Sequence, residues 1–189
     1  ASSTGGNVSI SALDADLLVG RITQFQGAHS TTTSITGQHP ANLGAIGQVS
    51  AVNGSVTLGA SGAIRESDSD GSTVRGRNLS LIAGTGIGES AHFVEIDSSN
   101  NAFGTVSALA GPSIWLSEVS GAMQVNSIVS TGGDVTLVAQ GSILDGVADG
   151  GAADVSGHNI TLTAQTGSIG TLADPLGVNT DAAGGGRLP

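Results

Sequence analysis

Cysteine, lysine and tyrosine are all missing from this chain of 189 residues. Without cysteine there is neither a disulfide framework nor a thiolate metal site, which excludes a small disulfide-stapled scaffold. An elongated repeat fold needs no such staples, because it draws its stability from neighbour stacking. A cysteine-free chain also suits export in an unfolded state through a narrow pore. Aromatic rings are almost absent: Phe25, Phe93, Phe103 and Trp115 are the whole set. Globular cores rely on such rings, so this core must be built from Val, Ile, Leu and Ala. Positive charge is scarce as well, with five Arg against fifteen Asp and Glu for a formal net charge of −10. Such a field argues against nucleic acid and anionic membrane as partners. No apolar run approaches the ~20 residues of a membrane-spanning helix, and no basic-then-apolar leader opens the sequence. The stretch from Ala1 reads as the start of a mature or excised piece.

Glycine, in contrast, occurs 31 times against four prolines, a balance suited to many tight turns between short strands. Good helix formers are few, with four Glu and one Met, while β-branched residues abound. A six-residue phrase recurs as NVSISA (7–12), SVTLGA (55–60), NLSLIA (78–83), DVTLVA (134–139) and NITLTA (159–164), with SIWLSE (113–118) as a looser copy. Apolar side chains stand at its second and fourth positions with a small polar residue between them. That alternation is the mark of a strand with one buried face. Most steps between copies fit coils of roughly 23 residues, the range of repeat architectures.

A longer period is nested on the short one. The stretch from Gly54 to Glu66 aligns with that from Gly133 to Asp145, and 76–83 aligns with 157–164. Ile87-Gly88 then matches Ile169-Gly170. The module is therefore about 80 residues long. The chain reads as one solenoid over 1–189, with a first module at 5–97, a second at 98–181, and a linker or cut point at 182–189. Extra sequence near 24–48, including His39-Pro40, interrupts the first module. Its length fits an additional coil, whereas its proline and poor alternation tip the reading towards a protruding loop.

Asn-Gly hairpin signals are few, Asn53-Gly54 being the clearest. The phrase returns after a whole coil and not after a two-residue turn. The expected fold is thus all-β, a right-handed parallel β-helix of about eight coils, with a β-sandwich pair as the alternative. Equivalent residues should stack in columns, Val56 near Leu79 and Val135 near Ile160, each buried aliphatic contributing roughly 1.5–3 kcal/mol.

The runs GDVTLVAQGSILD (133–145), NITLTA (159–164) and GSIGTLADPL (167–176) resemble the repeats of filamentous-haemagglutinin-like adhesins and related giant repetitive bacterial surface proteins. The likeness covers about residues 5–181. It implies a right-handed parallel β-helix, export to the bacterial cell surface, and a role in adhesion, biofilm or surface filaments. The secretion domain that such proteins carry at their amino terminus is not in this sequence, and 24–48 departs from the repeat.

Chemistry is sparse along the chain. His29, His39, His92 and His158 share no metal-ligand spacing. His158 aligns with Arg77, which predicts a solvent-facing turn. No serine sits in a nucleophile motif, and clustered acids with basic partners along a groove, as a polysaccharide-cleaving β-helix would need, are hard to assemble from five Arg. The reading is not an enzyme, and it requires no cofactor. Glu118, in place of the usual Ala, is expected to project outward as a solvated carboxylate, and Trp115, at a between-position, to face outward and pack on a neighbouring loop. Glu66, Asp68 and Asp70 stand at alternate positions before Gly71, as in oxygen-rich calcium loops. They are weak calcium candidates, with Asp145 and Asp149 as a weaker counterpart; a polar turn is the competing reading. Thr31 to Thr36 lacks the coil spacing of an ice-binding array. The sequence therefore nominates an extracellular rod segment, with neighbouring repeats or identical subunits end to end and a host or matrix glycan as partners. The alternative is a carbohydrate-binding or polysaccharide-active module on the same solenoid.

Overall fold

A computed structural model of the chain describes residues 8–12, 17–19, 23–24, 33–37, 49–66, 74–98, 104–147 and 152–180. The first strands are β1 (Val8–Ala12), β2 (Leu17–Val19), β3 (Thr23–Gln24), β4 (Thr33–Gly37), β5 (Val49–Ala60), β6 (Ile64–Glu66), β7 (Val74–Ala83) and β8 (Val94–Asp97). They are followed by β9 (Val106–Ala110), β10 (Ile114–Glu118), β11 (Met123–Ser130), β12 (Val135–Ala139), β13 (Ile143–Asp145), β14 (Val155–Ser156), β15 (Ile160–Ala164) and β16 (Val178–Asn179). Every pairing between these strands is parallel, each strand meeting its counterpart one turn away. The fold is an all-β solenoid of about five turns.

Two strand rows form most of the wall. The first runs through β1, the second half of β5, the second half of β7, β9, β11, β14 and β16. The second runs through the first halves of β5 and β7, then β8, β10, β12 and β15. Short bridges from Ile64 to Ile87 to Ile114 close the coil between them. The expected columns form in register, with Val56 on Leu79 and Val135 on Ile160.

The turns number about five and not the expected eight, and the phrase is not tied to one row. Copies at 7–12, 55–60 and 78–83 lie on the first row, whereas those at 113–118, 134–139 and 159–164 lie on the second. Any half-buried strand satisfies the same alternation, so counting phrases does not count turns. Near the start, β1 pairs directly with β5 and also, on its other edge, with β4. β4, which falls in the segment 24–48, thus lies on the other edge of β1 and not between β1 and β5; residues 25–32 and 38–48 lie outside the described residues.

The interior is mainly aliphatic. Leu58, Ile64, Leu81, Ile87, Ile96, Ile114, Leu116, Met123 and Leu137 all sit in one continuous buried cluster. Side-chain hydrogen bonds between rungs recur at the corners, where the first residue of the phrase acts. The Thr105 N–H donates to Asn78 Oδ1 at 3.2 Å. Asn159 donates its N–H and Nδ2–H to Asp134 Oδ1 at 3.1 and 2.8 Å. Asn, Asp or Ser opens each phrase because a corner peptide needs a side-chain partner from the adjoining rung.

Candidate functional site

Two polar places break the regular wall, one inside it and one outside, and both involve β8 and β10. Inside, Glu118 is buried, which reverses the outward placement expected for it. In β10 the inward residues are Ile114, Leu116 and Glu118, so strand parity prevailed over side-chain polarity. Glu118 stacks between Ile96 and Ala139. Its two carboxyl oxygens accept the Ser98 N–H at 3.1 and 3.0 Å, and the Ser98 hydroxyl donates to Oε2. Burial lifts its pKa from 4.5 to about 8; the Ser98 bonds pull it down and the neighbouring Asp97 pushes it further up. Asp97 is itself buried and paired with the Arg75 guanidinium, Nε and Nη2 each lying 2.6 Å from Oδ2.

Outside, Phe93 and Trp115 meet edge to face with ring centroids 5.6 Å apart. Trp115 is half-exposed and packs on the ring one turn below, as its between-position predicts. Next to this pair a cleft of about 260 Å³ opens on the second row. The outward side chains of Glu95, Ser117 and Val138, stacked one per turn, form its floor. Phe93, His92 and Glu66 form its sides. Oε2 of Glu95 is buried there and has no hydrogen-bond partner among the described residues.

The rim is shaped by a tight loop. Gly88 has φ +69°, and a Cβ in its place would lie 2.4 Å from the Trp115 carbonyl oxygen. Only glycine allows that left-handed turn across β10. Glu89 and His92 then exchange backbone N–H···O bonds at 2.8 and 3.0 Å, and Arg65 Nε reaches Glu89 at 3.1 Å. A second loop is built alike: Gly170 has φ +64°, and the Thr171 N–H donates to the Asp174 carbonyl.

No protein-family model, curated protein or solved structure matches the chain.

Of the calcium candidates, Glu66 ends β6 and Asp145 ends β13; Asp68, Asp70 and Asp149 lie outside the described residues. Asp145 Oδ1 accepts the Val147 N–H at 2.8 Å, the geometry of a polar turn. Among the described residues no group of three His, Asp or Glu converges as metal ligands do. His92 and His158 are both exposed, while His29 and His39 lie outside the described residues. No described helix is long and apolar enough to cross a membrane. Two features escaped the sequence reading, the inward Glu118 and the neighbourhood of Phe93. Parity along IWLSE signals the first, and the 22-residue spacing of Phe93 and Trp115 the second.

Proposed function

We propose that this chain is a segment of an extracellular structural and adhesive rod, part of a large repetitive bacterial surface protein, whose copies associate end to end. One observation carries the stacking part. Val135, Leu137 and Ala139 are fully buried in β12, but their partners Ile160, Leu162 and Ala164 in the last described turn are only half-buried. Ile169 at 49% and Val178 at 43% exposure extend that apolar edge. A rung whose core columns are half-open among the described residues is suited to receive another turn of the same kind. The placement at a bacterial surface rests on the likeness of the 133–176 repeats to filamentous-haemagglutinin-like proteins. Calcium at Glu66, Asp68 and Asp70 belongs to the same proposal, as an accessory that stiffens a turn.

Sedimentation velocity over a hundredfold concentration range tests the association. We expect the mean mass to rise with concentration for the chain as it stands and to remain that of a monomer for Leu162→Asp, with elongated particles visible by electron microscopy. A monomer at every concentration would overturn end-to-end assembly.

A further inference from the structure

We propose that the first strand row carries a side-to-side docking face for a second copy of this chain, through which rods formed end to end bundle along their length. Ile82 in β7, Leu109 in β9 and Val129 in β11 stand in register on three successive turns and point away from the core. Ile82 is 48% and Leu109 44% exposed, and Val129 is half-buried. The core uses none of them, since strand parity buries Leu81, Ala108 and Ile128 beside them. Ser80, Ser107 and Ser127 stand in register next to that stripe and complete an uncharged wall. The matching outward column of the second row reads Glu95, Ser117, Val138 and Thr163. An outward aliphatic stripe is therefore no general requirement of the coil.

Charge and size commit this face to a second copy. Two chains of net charge −10 repel wherever their acids face each other. Among the described residues every acid stands off this wall, on β6, β8, β10 or β13 or in the turns. Arg77, beside the wall in β7, is a cation. Copies therefore approach with least repulsion here. The strands β5, β7, β9 and β11, set ~4.8 Å apart, present a wall on the order of 300 Å², well under the roughly 800 Å² per partner of a stable interface. One copy holds another only fleetingly, in keeping with the monomer expected of Leu162→Asp. Along a rod the stripe recurs in every copy, and weak contacts sum. Only a partner with the same rung spacing keeps gaining contacts along the rod, and a second rod has that spacing by construction. Bundling thus rests on the end-to-end reading, whereas the wall contact does not.

The chain has no cysteine, so a single substitution supplies a unique thiol. Ser107→Cys on this wall and Thr136→Cys on the second row, both half-exposed positions, are each placed in the Leu162→Asp background and oxidised at millimolar concentration. We expect Ser107→Cys to form disulfide dimers about fivefold faster than Thr136→Cys, each rate being divided by that thiol's rate with a small-molecule disulfide. Ile82→Ser combined with Leu109→Ser should abolish the difference. Far-UV circular dichroism first establishes that this variant is folded, and Leu109→Ser alone decides if it is not. Without Leu162→Asp, electron microscopy should show paired rods for the parent chain and single rods of equal length for the Ser variant. Absence of rods would overturn the end-to-end reading and leave disulfide trapping to decide the wall contact. Equal trapping rates overturn the proposal and leave the stripe to a partner of another kind. Single rods of the parent chain overturn bundling, as do Ser-variant rods that pair like those of the parent.

Discussion

Glu118 shows how a single side chain can set the pH behaviour of a repeat fold. It occupies an inward column otherwise filled by Ile96, Ala139 and Ala164, so its carboxyl group faces an aliphatic interior. Desolvation disfavours the charged form and is the largest influence on its pKa of about 8. In the unfolded chain the same group ionises near 4.5. Between those values the folded protein holds a proton that the unfolded chain has released. Folding therefore takes up a proton in that window, and stability falls as pH rises through it, by up to about 1.4 kcal/mol per pH unit. Above about pH 8 and below about pH 4.5 this contribution is flat. Glu118→Gln keeps the shape and removes the titration. Urea unfolding at pH 5, 6.5 and 8 should show the Gln variant gaining on the parent protein steadily with pH. Parallel pH profiles for the two proteins would refute a protonated, buried Glu118.

At the scale of the element, each strand is stabilised by the rungs on both sides of it. Leu116 in β10 has a rung above and below and is fully buried, whereas Leu162 in β15 has a described partner on one side only. Leu116→Ala should cost about 2–5 kcal/mol by leaving a cavity, and Leu162→Ala less than about 2 kcal/mol at monomer concentrations. Chemical denaturation of the two variants checks this; equal losses would mean that the last described turn is as well covered as the middle. The alternation that defines these strands was readable in the sequence, and so was the register of Val56 on Leu79. Which row a phrase occupies was not, because the same alternation serves either row. Strand β9 escaped the phrase altogether, since it turns the small Ala108 inward and leaves Leu109 44% exposed. The outward ring of Trp115 followed from parity. Its partner Phe93 did not, because loop 88–93 has no periodicity and reaches β10 only through the left-handed turn at Gly88.

Over the whole molecule, contacts run almost entirely between adjoining turns, so stability should be graded along the axis and not uniform. The middle turns, built on β8, β10 and β12, have buried columns and two neighbours each. The turn bearing β15 and β16 exposes the edges of Ile160, Leu162 and Val178. Local opening should therefore begin at that end, with amides of Ile160–Ala164 and Val178–Asn179 exchanging faster than those of Ile114–Glu118 and Val135–Ala139. Hydrogen exchange followed by mass spectrometry at micromolar concentration reads this gradient directly. The same measurement at the highest soluble concentration links the gradient to function. If copies stack on the open rung, protection should rise at β15 and β16 and stay constant at β10, because only the terminal amides gain a partner. Protection that is uniform along the axis at low concentration would show that the turns open as one cooperative unit. A concentration-independent gradient would count against the stacking of copies on that rung.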